Sequence, residues 1–246
     1  MNWYRADMHI HTVLSPCGDL DMSPGRIIEE AKNKKLDIIA ITDHNSTRHC
    51  KLAMELGKRE NITVIPGVEF NTSEEVHCLG WFEDEETIDE VQNFLESVKP
   101  DFKNKSTLFG EQLVVNEHEE IIDEEECLLI ESLKSSINEI EKFVHQKGGL
   151  FLPAHIDRAY NSILSQLGFI PKGLEIDGIE ISSNVPVKNT TTRNLEISAL
   201  RVRNSDAHYI EQIGRSVTCF QMREPSFSEL KSLLQSGDEK RIKYEC

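Results

Sequence analysis

Two histidines, His9 and His11, stand two residues apart at the end of a short apolar run, Ala6-Asp7-Met8-His9-Ile10-His11. In a β-strand, side chains two apart share a face, so a strand ending here aims two imidazoles in parallel. That is a pincer for a transition metal, and it calls for a fold that brings further donors to the same strand end. Alone, the pair is equally compatible with two satisfied polar residues at a strand terminus, so the rest of the chain has to decide.

Short β-branched runs recur, mostly followed by a helical pattern. Strands are expected at 6–10, 37–41, 63–65, 76–81, 150–153, 178–181, 200–204 and 216–220. Ser23-Pro24 supplies an N-cap and a first-turn proline, and Ile27, Ile28 and Ala31 form the apolar stripe of the helix behind them. Further helices are expected near 47–59, 86–98, 136–147, 190–198 and 226–235. Strands alternating with helices read as βα units of a parallel sheet or barrel. Residues 101–135 break the rhythm. There Gln112-Leu113-Val114-Val115 and Ile121-Ile122 flank a polar turn, Asn116 to Glu120, and read as a β-hairpin, with Glu124-Glu125-Glu126 behind it. This acidic insertion is either a solvated excursion or a lid or dimer arm at the site mouth. One domain, 1–246, is the economical reading.

The 246 residues suit one (β/α) barrel. No apolar stretch approaches the ~20 residues of a membrane span. The first residues lack the basic and apolar regions of a secretory signal. Six cysteines without a CxxC pair point to reduced thiols and a cytoplasmic setting. A formal charge of −16 with no basic stripe argues against tight binding of a long nucleic acid. It leaves room for a small phosphorylated substrate, because cations bound in a cleft supply positive charge locally. Oligomeric state is not readable.

The polar residues that interrupt the apolar runs are of one chemical kind. Asp43, His44 and Asn45 follow the second run, Glu69 closes Pro66-Gly67-Val68-Glu69, and His77 sits in the fourth run. His155 follows the fifth, and Asp206 and His208 repeat the two-apart spacing late in the chain. Six of nine histidines fall at or near strand ends, joined by three carboxylates. Burying so many ionisable groups in one cleft is very costly without counter-charge, and bound cations remove that cost. His49, His118 and His145 lie in helical or insert contexts and read as ordinary.

The HxH, TDHN and PGVE motifs, the two lone histidines and the late DxH, in this order over residues 7 to 208, resemble the PHP superfamily of polymerase and histidinol phosphatase metal-dependent phosphoesterases. The resemblance implies an α/β fold, a distorted (β/α)7 TIM-like barrel, so one expected strand is not a stave. It implies two or three divalent ions of Zn, Mn or Fe. One site would use His9, His11, Glu69 and Asp206, and a second would share Glu69 and add His77 and His155. A third would use His44 and His208 with a ligand from the loop after the first strand, Cys17 or Asp19 ahead of Asp21. A thiolate there would favour zinc or iron over magnesium.

The implied activity is hydrolysis of small phosphomonoesters or nucleotides by a metal-bridged hydroxide, which such ions can supply at neutral pH. Asp43 is expected to join the catalytic group by fixing the His44 ring. Arg158, three residues after His155, is a candidate phosphate clamp, and Asn45 a second substrate contact. The alternatives are an exonuclease-like end-trimming enzyme, an amidohydrolase, and a non-catalytic metal-binding regulatory module.

Overall fold

The computed structural model describes residues 1–183 and 199–244. The chain runs β1 (Asn2–Ile10), α1 (Pro24–Asn33), β2 (Ile38–Ile41), α2 (Cys50–Glu60), β3 (Thr63–Asn71), β4 (His77–Trp81), α3 (Glu85–Val98) and α4 (Ser106–Phe109). It continues with β5 (Leu113–Val115), β6 (Ile121–Glu124), α5 (Ile137–Gln146), β7 (Leu150–Pro153), α6 (Ile163–Leu167) and β8 (Gly178–Ile181). The last elements are β9 (Leu200–Arg203), β10 (Thr218–Met222), α7 (Phe227–Ser236) and β11 (Ile242–Lys243). Each expected strand has a counterpart, and so does each expected helix except 190–198, which lies outside the described residues. Helix starts follow side-chain caps: Ser23 accepts from Arg26 N, Asp84 from Thr87 N, and Ser136 forms a capping box with Glu139.

A seven-stranded sheet has the order β11-β10-β1-β2-β3-β4-β7, and β8-β9 form a separate parallel pair. β1, β2 and β3 are parallel, as βα units require. The expectation of an all-parallel sheet needs correction at β4, antiparallel to β3 and β7, and at β10, antiparallel to β1. Residues 72–76 are too few for the crossover of a dozen or more that a parallel return needs, so the chain doubles back. The same pairing lengthens β3 to Asn71, which places Glu69 inside a strand rather than at its end. Gly67 permits this close approach, since an added Cβ would lie 2.8 Å from Gly80 O.

The sheet curls into a half-barrel whose mouth is laced by further bonds. Ile156 N donates to Glu180 O at 3.0 Å and Asp177 N to Phe151 O at 3.0 Å, joining β7 to β8. His11 N donates to Ala207 O at 3.0 Å, and Met8 N to Asn204 Oδ1 at 2.9 Å, joining the exit of β9 to β1. Strand alternation splits the core in two. Ile38 and Ala40 pack inside with Met8, Trp81, Leu152 and the α7 leucines; Ile39 and Ile41 pack outside against α1. β5 and β6 pair antiparallel, and His49 Nε2 accepts from Val115 N at 3.0 Å, fastening β5 to the start of α2.

Among the described residues no helix is long and apolar enough to cross a membrane. Cys17, Cys50, Cys78 and Cys127 are free, but Cys219 is disulfide-bonded, against the expected fully reduced set. A disulfide depends on closeness in space, which spacing along the chain does not report.

His145 bridges α5 to the approach of β8, with Nδ1 2.6 Å from Glu141 and Nε2 2.9 Å from Asp177. The Asp177 bond, with Glu141 beside it, outweighs burial and raises the imidazolium pKa above its ordinary value. A raised folded pKa stabilises fully below the unfolded pKa of about 6.5 and ceases to do so as pH rises through the folded value. Wild type should therefore exceed His145→Gln in stability by about 1 kcal/mol at pH 6, with the gap shrinking by pH 9. Urea titrations at both pH values check this, and a gap that widens with pH contradicts it.

Candidate metal centre

β1 delivers His9 and His11 side by side, with their Nε2 atoms 3.1 Å apart. Glu69 Oε2, carried by β3, lies 3.3 Å from His9 Nε2 and 3.2 Å from His11 Nε2. Asp206 Oδ1, from beyond β9, lies at 3.3 and 3.2 Å from the same two atoms. These five separations of 3.1–3.3 Å match edges of a tetrahedron whose corners stand about 2 Å from its centre, the distance at which zinc takes imidazole nitrogen and carboxylate oxygen. Asp206 Oδ1 and His44 Nδ1 are buried without a hydrogen-bond partner among the described residues. Buried polar atoms are rarely left so unless something else engages them. The donor set fits a divalent metal.

Two further groups of facing donors adjoin the first: His44, Glu69 and His77, and His11, His44 and His208. Glu69 is the hub. Its Oε2 lies 3.2 Å from His44 Nδ1, and its Oε1 lies 3.0 Å from His77 Nδ1 and 3.2 Å from His155 Nε2. His44 thus stands between the second and third groups, and the His208 ring stacks on His11 at 4.2 Å between centroids. His155 and Asp206 hold positive φ values, 28° and 52°, a strained backbone at the two turns that aim their side chains inward.

The charges interlock. Burial alone would raise Glu69, but His77, His9 and His44 hold it well below the usual carboxylate range. Burial likewise depresses His11, yet the carboxylates of Asp206 and Glu69, each 3.2 Å from its Nε2, outweigh it and hold the ring at about 9. His9 is raised well above its ordinary value by Glu180, Asp206 and Glu69 against its burial. Burial and the neighbouring His11 pull His208 down to about 4. The carboxylates around His9 and His11 favour their protonated forms, so a cation binding here competes with protons. Zinc binding at pH 7 should release protons, and affinity should rise with pH between 7 and 9. Calorimetry in buffers of different ionisation enthalpy reads the proton count, and zero release contradicts the assignment.

Several expected residues have other duties. Asp43 accepts from Thr12 N at 2.7 Å, Thr12 Oγ1 at 2.8 Å and Ser15 Oγ at 2.7 Å, and Ser15 Oγ lies 3.0 Å from His11 Nδ1. It braces the loop after β1 and, through Ser15, the His11 ring; the expected brace on His44 is corrected, because the parallel ends of β1 and β2 abut. Asn45 donates to Leu129 O at 2.7 Å and Glu131 O at 3.0 Å and accepts from Asn71 N at 2.9 Å. Its amide is spent tying residues 129–131 to β3, which corrects its reading as a substrate contact. Cys17 is exposed, Asp19 Oδ1 accepts from Asp21 N at 2.9 Å, and Asp21 pairs with Arg26. None of the three joins a group of facing donors. Arg158 Nη2 bonds Asp206 Oδ2, on the side away from the tetrad.

Glu180 went unremarked, although a carboxylate inside the apolar run Gly178 to Ile181 was a signal. Both its oxygens lie 3.0 Å from His9 Nδ1, and it accepts from His155 N at 3.0 Å and Asn204 Nδ2 at 2.7 Å. Such a carboxylate fixes the ring orientation and tautomer of a ligating histidine. Arg215 was also missed. With Arg158, Ser183, Ser205, Asp206 and Gln212 it lines a polar cleft of about 350 Å³ beside the tetrad.

A PHP domain model matches residues 7–176, and a PHP-associated model matches residues 202–238. An uncharacterized protein of Methanocaldococcus jannaschii is 35% identical over 104 residues, 36% of this chain and 61% of that protein. Phosphoribosyl 1,2-cyclic phosphate 1,2-diphosphodiesterase of Eggerthella lenta is 30% identical over 79 residues, 30% of this chain and 29% of that one. The matches thus span less than two thirds of either relative. Among solved structures, the lesion-specific endonuclease Q of Pyrococcus furiosus superposes with a TM-score of 0.70 at 18% identity, covering 99% of this chain and 58% of that one. At that identity the likeness is one of fold.

Proposed function

Since this chain belongs to the PHP family, we propose that it is a metal-dependent phosphoesterase that hydrolyses small phosphomonoesters or nucleotides. The observation that carries the reading is the tetrad of His9, His11, Glu69 and Asp206, with each histidine nitrogen 3.1–3.3 Å from the other three donor atoms, beside a polar cleft. Those four residues would hold one ion. Glu69 with His77, His44 and His155, and His44 with His208 and His11, would hold a second and a third. When bound, such ions supply Lewis acidity and an activated water at neutral pH. Counting β1 to β4, β7, β8 and β9 around the mouth supports the distorted seven-strand barrel, with β10 as the strand left outside it.

The protein's own groups divide the remaining work. Glu180 holds the His9 ring, Ser15 holds that of His11, and Asn161 Nδ2 lies 2.8 Å from His77 Nε2. Arg158, anchored on Asp206, offers its remaining N–H groups to a phosphate oxygen. A formal charge of −16 and a small cleft favour a compact ester over a gripped duplex.

Metal-stripped protein should hydrolyse 4-nitrophenyl phosphate and nucleoside monophosphates only after Zn, Mn or Fe is restored, and a chelator should reverse the gain. Turnover of an oligonucleotide exceeding that of every monoester, and collapsing with added salt, favours the nucleic-acid reading instead. A fully metal-loaded protein inert across the whole panel defeats the proposal.

A further inference from the structure

The cleft beside the tetrad is lined entirely by polar side chains, two of them guanidinium groups. Asp206 is its shared wall, with Oδ1 turned to His9 and His11 and Oδ2 bonded to Arg158. Arg215 lines the same cleft, and among the described residues its guanidinium has no ion-pair or hydrogen-bond partner. An unpaired arginine is notable in a chain with 43 acidic residues against 27 basic ones.

The backbone that carries Arg215 is held in place. Gly214 N donates to buried Asp7 Oδ2 at 2.8 Å, and Arg215 N to Gln212 O at 3.0 Å. Gln212 Oε1 accepts from His208 N at 2.8 Å, so the loop that ends in Arg215 begins at a metal-facing histidine. Asp7 also accepts from Ser205 N at 2.9 Å, tying both ends of the loop to β1. The arginine is therefore mounted on a preformed loop, with its charged end left for a ligand.

We propose that Arg158 and Arg215 form a dianion clamp, and that Arg215 makes the site prefer terminal phosphate monoesters to phosphodiesters. This rests on the phosphoesterase reading. A monoester phosphate carries one more negative charge than a diester near neutral pH. Where a diester presents a second carbon arm, a monoester presents a free oxygen, and the cleft offers charge and hydrogen bonds rather than apolar surface. Planar guanidinium groups pair with phosphate oxygens two at a time.

The test is Arg215→Gln and Arg215→Lys in the metal-loaded protein, with 4-nitrophenyl phosphate and bis(4-nitrophenyl) phosphate as substrates. Arg215→Gln should lower kcat/KM for the monoester at least about tenfold more than for the diester, at unchanged metal content. Arg215→Lys, which keeps the charge and loses the fork, should fall between Gln and wild type. Inorganic phosphate binding, read by calorimetry, should weaken about tenfold in Arg215→Gln. Equal losses on both esters, or phosphate binding untouched by Arg215→Gln, overturn the clamp. Arg215-dependent phosphate binding in a protein that hydrolyses no ester keeps the clamp and removes the phosphoesterase reading.

Discussion

Asp206→Ala and His9→Ala should each lower metal-dependent hydrolysis at least about a thousandfold while the protein stays folded. Each removes one of four facing donors, and a corner of the proposed tetrahedron would be lost with it. Asp206 stands at the mouth beyond β9, outside the apolar clusters, so the fold survives its loss. Its φ of 52° costs alanine about 1–2 kcal/mol, and Asp206→Asn, better suited to that backbone, separates lost ligation from strain. Elemental analysis alongside turnover decides the matter. Wild-type rates and full metal content in both the Asp206 and His9 variants would remove the ligand assignment.

Glu180→Leu should cost stability, and Glu180→Gln should cost metal affinity. Glu180 is buried and serves His9 Nδ1, His155 N and Asn204 Nδ2 at once. Burial raises its carboxyl pKa, and His9 outweighs that to hold it below the ordinary value. Leucine strands three buried polar groups, the His9 ring among them, a loss on the order of 3–5 kcal/mol. Glutamine keeps the shape and gives up the charge that orients His9, which should weaken metal binding about 10–100-fold. Urea unfolding reads the first effect and chelator competition the second. A leucine variant as stable as wild type would show that Glu180 holds nothing together.

The ligand chemistry was legible because metal donors are rare inside apolar strands. His9 and His11, His77 within β4 and His155 after β7 interrupt runs that otherwise read as core, and the structure brings them within a few ångströms of Glu69. Strand and helix positions followed from periodicity and caps, from Ser23-Pro24 at α1 to the apolar run of β8. Strand direction did not follow. The antiparallel turn between β3 and β4 was encoded in the short link 72–76, yet an apolar run looks the same whichever way it points.

Residue type and spacing thus picked out side chains that the fold gathers into one buried cluster, because desolvating imidazoles and carboxylates makes sense only beside compensating charge. What each polar group touches was settled by folding alone. Asn45 turned to carbonyls from residues 129–131, Asp43 to Thr12 and Ser15, and Glu180 and Arg215 came to the mouth from strands and loops far along the chain. A side chain's partners depend on where distant strand ends meet, and local sequence carries no record of that meeting.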